Sequence, residues 1–150
     1  MSSDVEMYLG KLKGTRLFRV LVGPAGVHYD FAIGRDRAEH VTDFSILSNT
    51  GIMVTAEGKK RLFACGPYPG YSHQDTLSSL LTIRHLTCAE FDSEKNAARI
   101  ILDDKILLSL IPTESPKGDI CWSFHADCEG PTSGLVVWRS HIKPLKYQVR

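Results

Sequence analysis

The sequence has no long apolar run. Its longest hydrophobic stretches fall well short of the roughly 20 residues that a membrane-crossing helix needs, so no membrane span is expected. It also lacks charge of one sign. The 18 Lys and Arg stand against 17 Asp and Glu, for a formal net charge of +1. Nucleic acids and anionic membranes usually demand a concentrated basic surface. Here the cations are dispersed, apart from small groups at Lys59-Lys60-Arg61 and Lys143–Arg150, so neither partner is expected. A secretory leader is not visible: the first ten residues, MSSDVEMYLG, carry Asp4 and Glu6 where such a leader has basic residues and then an apolar run, so the even number of cysteines, four, is not read as a disulfide set. A cytoplasmic location follows as an expectation, with Cys65, Cys88, Cys121 and Cys128 reduced. No P-loop, GxGxxG, HExxH, EF-hand loop or GxSxG elbow occurs. Motif grounds for an enzyme or a cofactor are therefore missing, and no cofactor is expected.

What is present is an ordinary globular composition, 43% hydrophobic and 23% charged, of a length that suits one domain over residues 1–150. Most of the pattern is β. Arg16–Val22, then Val27–Ile33 with Val27, Tyr29, Phe31 and Ile33 on one face, reads as a hairpin across Gly23-Pro24-Ala25-Gly26. Val41–Leu47, Ile52–Ala56, Arg61–Cys65, His85–Asp92, Ala97–Leu102, Lys105–Ile111, Ile120–Ala126 and Leu135–Ser140 carry the same signal, with turn-like residues between them. Glu57–Lys60 reads as one of those turns. Residues 1–15 form a short helical or irregular lead-in. One central helix is predicted over Ser72–Ile83, where Leu77, Leu80, Leu81 and Ile83 make the apolar stripe and Gln74, Ser78 and Ser79 the polar face. The fold class is α+β, mostly β: an antiparallel meander bent into a sandwich or barrel-like shape.

A rhythm recurs along the chain. Leu12–Ile33 and Leu81–Leu102 share lead-in, strand, turn and strand at a constant spacing, and Glu57-Gly58 and Glu129-Gly130 each follow a later strand. Two readings stay open: pseudo-repeats over about 12–70 and 81–142, or one meander with regular hairpins.

Several groups are candidates for chemistry or recognition. Cys121, His125 and Cys128 are zinc-type ligands, with Cys65, Cys88 or His141 as a fourth, but their spacing lacks the paired knuckles of structural zinc sites. Ser123, His125 and Asp127 contain the residue types of a hydrolytic relay, and alternation on one strand points them outward together, as a solvated face also would. The rigid loop Gly66–Tyr71 offers Tyr68 and Tyr71 as contact residues. The acidic groups Asp92 and Glu94, and Asp103 and Asp104, sit at turns and can meet a basic partner. Trp122 reads as core.

In size, hairpin rhythm and the aromatic strands ICWSFHAD and LVVWRSH, the chain resembles the small strand-rich immunity proteins encoded beside bacterial polymorphic toxins. The resemblance implies a non-catalytic protein-binding domain that neutralises a cognate toxin domain by stoichiometric binding. One departure is charge: inhibitors of basic nuclease toxins are often acidic, and this chain is nearly neutral. The alternatives are a small metal-binding domain or enzyme centred on Cys121, His125 and Cys128, and a structural subunit that oligomerises through a strand edge.

Overall fold

A computed structural model describes residues 2–23, 28–35, 41–63, 71–111, 120–138 and 142–145. Within them the chain is mostly β, with two helices. Helix α1 spans Ser2–Gly10 and is followed by strands β1 (Thr15–Val22), β2 (Tyr29–Arg35), β3 (Phe44–Ser48), β4 (Ile52–Ala56) and β5 (Lys59–Phe63). Helix α2 (Tyr71–Leu81) opens the second half, with β6 (Arg84–Asp92), β7 (Ala97–Leu102), β8 (Ile106–Leu110), β9 (Ile120–His125), β10 (Gly134–Trp138) and β11 (Ile142–Pro144). All eleven strands join one antiparallel sheet in the order β11-β10-β9-β3-β2-β1-β6-β7-β8-β4-β5, which does not close on itself.

The lead-in, expected as helical or irregular, is a second helix beside the central one. The lead-in is helical because Val5, Leu9 and Leu12 recur at near-helical spacing and are all fully buried. The central helix also ends earlier than predicted, at Leu81. Ile83 turns into the left-handed region at φ 64, and its N–H is spent on the carbonyl of Leu17 in β1. The turn expected at Glu57–Lys60 is only two residues long. Glu57 and Gly58 both take positive φ, the geometry of a tight hairpin turn, which leaves Lys59 and Lys60 inside β5.

The sheet is organised about the meeting of β1 and β6. They pair at only two positions, Arg16 with His85 and Leu17 with Arg84. Arg16 and His85 are 69 residues apart. The same offset relates the β-bulge after Leu17 to the bulge after Leu86. It also relates the bond from Gly14 N–H to Leu86 to the bond from Ile83 N–H to Leu17, both 2.8 Å. Outward from this centre the flanks match strand for strand: β2 with β7, β3 with β8, β9 with β4, and β10 with β5. Each half therefore borrows a hairpin. The β4–β5 pair of the first half extends β8, and the β9–β10 pair of the second half extends β3.

The inner faces of the bent sheet share one core. At its centre Leu17, Phe31, Ile33 and Ile46 of the first half surround, with Leu86, Ile100, Leu102 and Leu108 of the second, a void of about 10 Å³. That is at most the size of one water, so the halves are closely packed. Each fully buried large side chain here, Trp122 and Phe63 among them, contributes about 1.5–3 kcal/mol through loss of water-exposed area. The helices lie against this inner face. Helix α1 packs on β6 and reaches β9, where the Tyr8 and Phe124 rings stand 5.4 Å apart. Helix α2 packs on β1 and reaches β5, where His73 meets the Phe63 ring edge-on at 5.3 Å. Among the described residues no helix is long and apolar enough to cross a membrane.

Candidate functional site

The two outer faces of the sheet occupy equivalent places and carry different chemistry. On the first, the pairing of β3 with β9 sets Ser45 opposite His125, and the two-residue period of β9 places Ser123 beside it. Ser123 Oγ and His125 Nε2 are 2.9 Å apart. Gly134 of β10 lies opposite His125, and a Cβ there would fall 2.0 Å from the Phe124 carbonyl oxygen, so only glycine lets the strands approach this closely. Burial pushes the His125 imidazole below its ordinary pKa, with Asp127 and Asp30 opposing the shift. At neutral pH the ring is therefore uncharged.

These residues do not assemble a hydrolytic relay. The Asp127 carboxylate accepts a 2.9 Å bond from Ser45 Oγ rather than orienting the imidazole. Ser123 is only 5% exposed, out of reach of a substrate. Nor, among the described residues, do the zinc-type residues converge. Cys121 is fully buried and Cys128 is exposed on the 3₁₀ turn Asp127–Glu129. Among the described residues no three His, Cys, Asp or Glu side chains are grouped to hold a metal ion. Cys65 and His141 lie outside the described residues.

The acidic groups are divided between opposite ends of β7. At the β6–β7 tip Asp92 Oδ1 accepts from the N–H groups of Glu94 (3.0 Å) and Lys95 (3.3 Å), which shapes the turn. At the other end, roughly 20 Å away along β7, Asp103 and Asp104 both take left-handed φ. Asp103 accepts from the His85 N–H at 3.0 Å and the Arg84 guanidinium at 3.1 Å. Burial works against its ionisation, but the His85 backbone bond and Arg84 outweigh it and hold the carboxyl below its usual range. Arg16 Nη2 lies 3.1 Å from His85 Nε2. Arginine can only donate, so Nε2 accepts and the proton of a neutral ring sits on Nδ1, 3.8 Å from Asp103. Asp104 donates its N–H to Thr87 Oγ1. These carboxylates build turns and brace the centre of the sheet; they do not form one surface. Tyr68 lies outside the described residues, and so does the side chain of Tyr71, the first residue of α2.

Sequence reasoning missed the second outer face. There a groove of about 210 Å³ is floored by Met53, Leu107 and Ile111. Lys60 stands on one wall, with Lys95 and Arg99 on the other beside Asp92. All three cations are exposed, and no ion pair among the described residues involves them. Glu90 lies opposite Arg99 across β6–β7, and its carboxylate accepts from the Cys88 thiol. The groove is smaller than the roughly 300–1,000 Å³ of small-molecule pockets. It suits one or two side chains of a larger ligand. Its residues come from β4, β5, β7, β8, the end of β6 and the β6–β7 turn, and no local pattern draws them together. Comparison of the chain with protein-family models, with curated proteins and with solved structures finds no match in any of the three, which leaves the geometry of its own residues as the basis for function.

Proposed function

We propose that this chain is a non-catalytic domain that binds another protein stoichiometrically, through the outer face of the second half-sheet. The observation that carries the proposal is the groove lined by Lys60, Lys95 and Arg99 above an apolar floor. Cations without ion-pair partners among the described residues, around a small apolar depression, form a recognition surface for a protein bearing both acidic and apolar side chains. The acid–base groups elsewhere are engaged in turns and internal bonds, which favours binding over catalysis. The setting we propose is that of an immunity protein acting in the cytoplasm, with a toxin domain as its partner. Such a protein occludes its target and needs no chemistry of its own.

Size-exclusion chromatography of the chain with the product of the neighbouring gene tests the reading. A co-eluting 1:1 complex is expected, weakened by Arg99→Glu together with Lys95→Glu. Separate elution of the two proteins at concentrations of about 10 µM, where a Kd in the nanomolar range would leave almost none free, overturns it.

A further inference from the structure

The two edges of the sheet are not alike. At one end β11 has three residues and closes on Pro144, which has no N–H to offer. At the other, β5 has five residues and pairs, among the described residues, only with β4. Its free side presents backbone donors and acceptors over roughly 17 Å. Four of the five side chains are exposed, including Leu62 at 62%. Among the described residues, nothing in the fold explains an exposed leucine on this edge.

The charge of β5 narrows what can pair with it. Lys59, Lys60 and Arg61 are consecutive and have no carboxylate partner among the described residues. A second copy of β5 would set three cations against three, and β11 carries Lys143, so self-pairing through either edge is opposed. An anionic strand meets no such barrier. The side-chain period sharpens the match. Lys60 and Leu62 belong to the outer face, opposite Thr55 and Met53 of β4, next to the groove. Arg61 belongs to the other face, with its guanidinium 4.8 Å above the Phe63 ring.

We propose that β5 is a docking edge for an acidic extended segment of a partner protein, which adds to the sheet as a twelfth strand. The segment places an apolar side chain beside Leu62, and carboxylates beside Lys60 and Arg61 on opposite faces. Its recognisable pattern is two consecutive acidic residues next to an apolar one. Backbone bonds to β5 supply affinity and the charges supply selection. The inference rests on the protein-binding reading above and locates the contact within it.

The test uses the full chain, labelled with ¹⁵N, and an eight-residue synthetic peptide of alternating acidic pairs and valine. The expected result is altered amide shifts and slowed hydrogen exchange confined to Lys59–Phe63 and its neighbours in β4. Affinity should fall roughly tenfold in the Lys60→Glu, Arg61→Glu double variant, and also on raising salt from about 0.05 to 0.5 M. Lys13→Glu, on a distant exposed lysine, should leave binding unchanged. A peptide N-methylated at alternate residues on the pairing side should not bind. Equal binding of the methylated peptide overturns strand addition even if charge attraction remains, and it is read on the unaltered chain. Unperturbed β5 amides at millimolar peptide overturn the inference outright. A toxin-domain complex that forms but is indifferent to the Lys60 and Arg61 reversals overturns the docking edge alone, whereas absence of any complex removes the broader reading.

Discussion

At the scale of single residues, Ile83 shows how the centre of the sheet overrides local preference. It is 56% exposed, so its side chain contributes little to the core, yet its backbone sits at φ 64. For a β-branched residue that conformation costs about 1–2 kcal/mol. Gly14 has the same task on the other side of the β1–β6 pair, at φ 83, without the penalty. Replacing Ile83 with glycine should therefore stabilise the protein by about 0.5–1 kcal/mol, after allowing for the larger entropy glycine loses on folding. Urea unfolding should show a higher midpoint with an unchanged slope; a lower midpoint would mean that Ile83 makes contacts worth more than its strain. None of this was legible in the sequence, where Ile83 continues the stripe of Leu77, Leu80 and Leu81 and extends the predicted helix. The long-range bond to Leu17 decides the matter, and propensity carries no information about it. The acidic turn residues were legible as turn formers, but not as anchors for Arg84 and the His85 backbone.

At the scale of elements, α2 does more than pack leucines. Gln74 falls on the face read from sequence as polar and solvated. Its Oε1 instead accepts from the Val22 N–H at 2.8 Å, and its Nε2 donates to the Val20 carbonyl at 2.6 Å. β1 pairs with β6 only at Arg16 and Leu17, so beyond that point its second edge has no strand beside it among the described residues. The amide of Gln74 takes the place of one. Gln74→Leu keeps the side-chain volume and removes both bonds, and should cost about 2 kcal/mol, largely from the strand groups it leaves unpaired. Chemical denaturation would show it, with hydrogen exchange at Val22 accelerated out of proportion to the rest of β1. An unchanged Val22 rate would mean that water replaces the amide at no cost. The strands themselves were readable, because alternation of apolar residues is a local signal: Ile120–His125 and Ala97–Leu102 lie close to where it puts them. Which strand neighbours which was not readable, since Ser45 and His125 meet only through pairing across most of the chain. The groove shares that fate, as a product of five strands and a turn.

At the scale of the whole molecule, the exchanged hairpins make the halves mutually dependent. Residues 1–63 supply β4–β5 to the second half-sheet, and residues 71–145 supply β9–β10 to the first. A chain divided between β5 and α2 should give two fragments that are each largely unfolded alone and regain native circular dichroism when mixed in equal amounts. A folded N-terminal fragment would show that β1–β2–β3 is a sufficient core without β9. The spacing between Leu12–Ile33 and Leu81–Leu102 is also the offset across β1–β6, but the exchange of hairpins leaves no mark in a sequence that records order along the chain and not adjacency in space.

The exchange also sets a schedule for the newborn protein. β3 is complete early, yet its outer neighbour β9 begins only at Ile120. At ordinary translation speeds of about 5–20 residues per second, that neighbour arrives on the order of ten seconds later. Through that interval the apolar inner residues Phe44 and Ile46 stand on an unfinished edge. The first half must wait, shielded or at risk of wrong pairing, until β9 has left the ribosome.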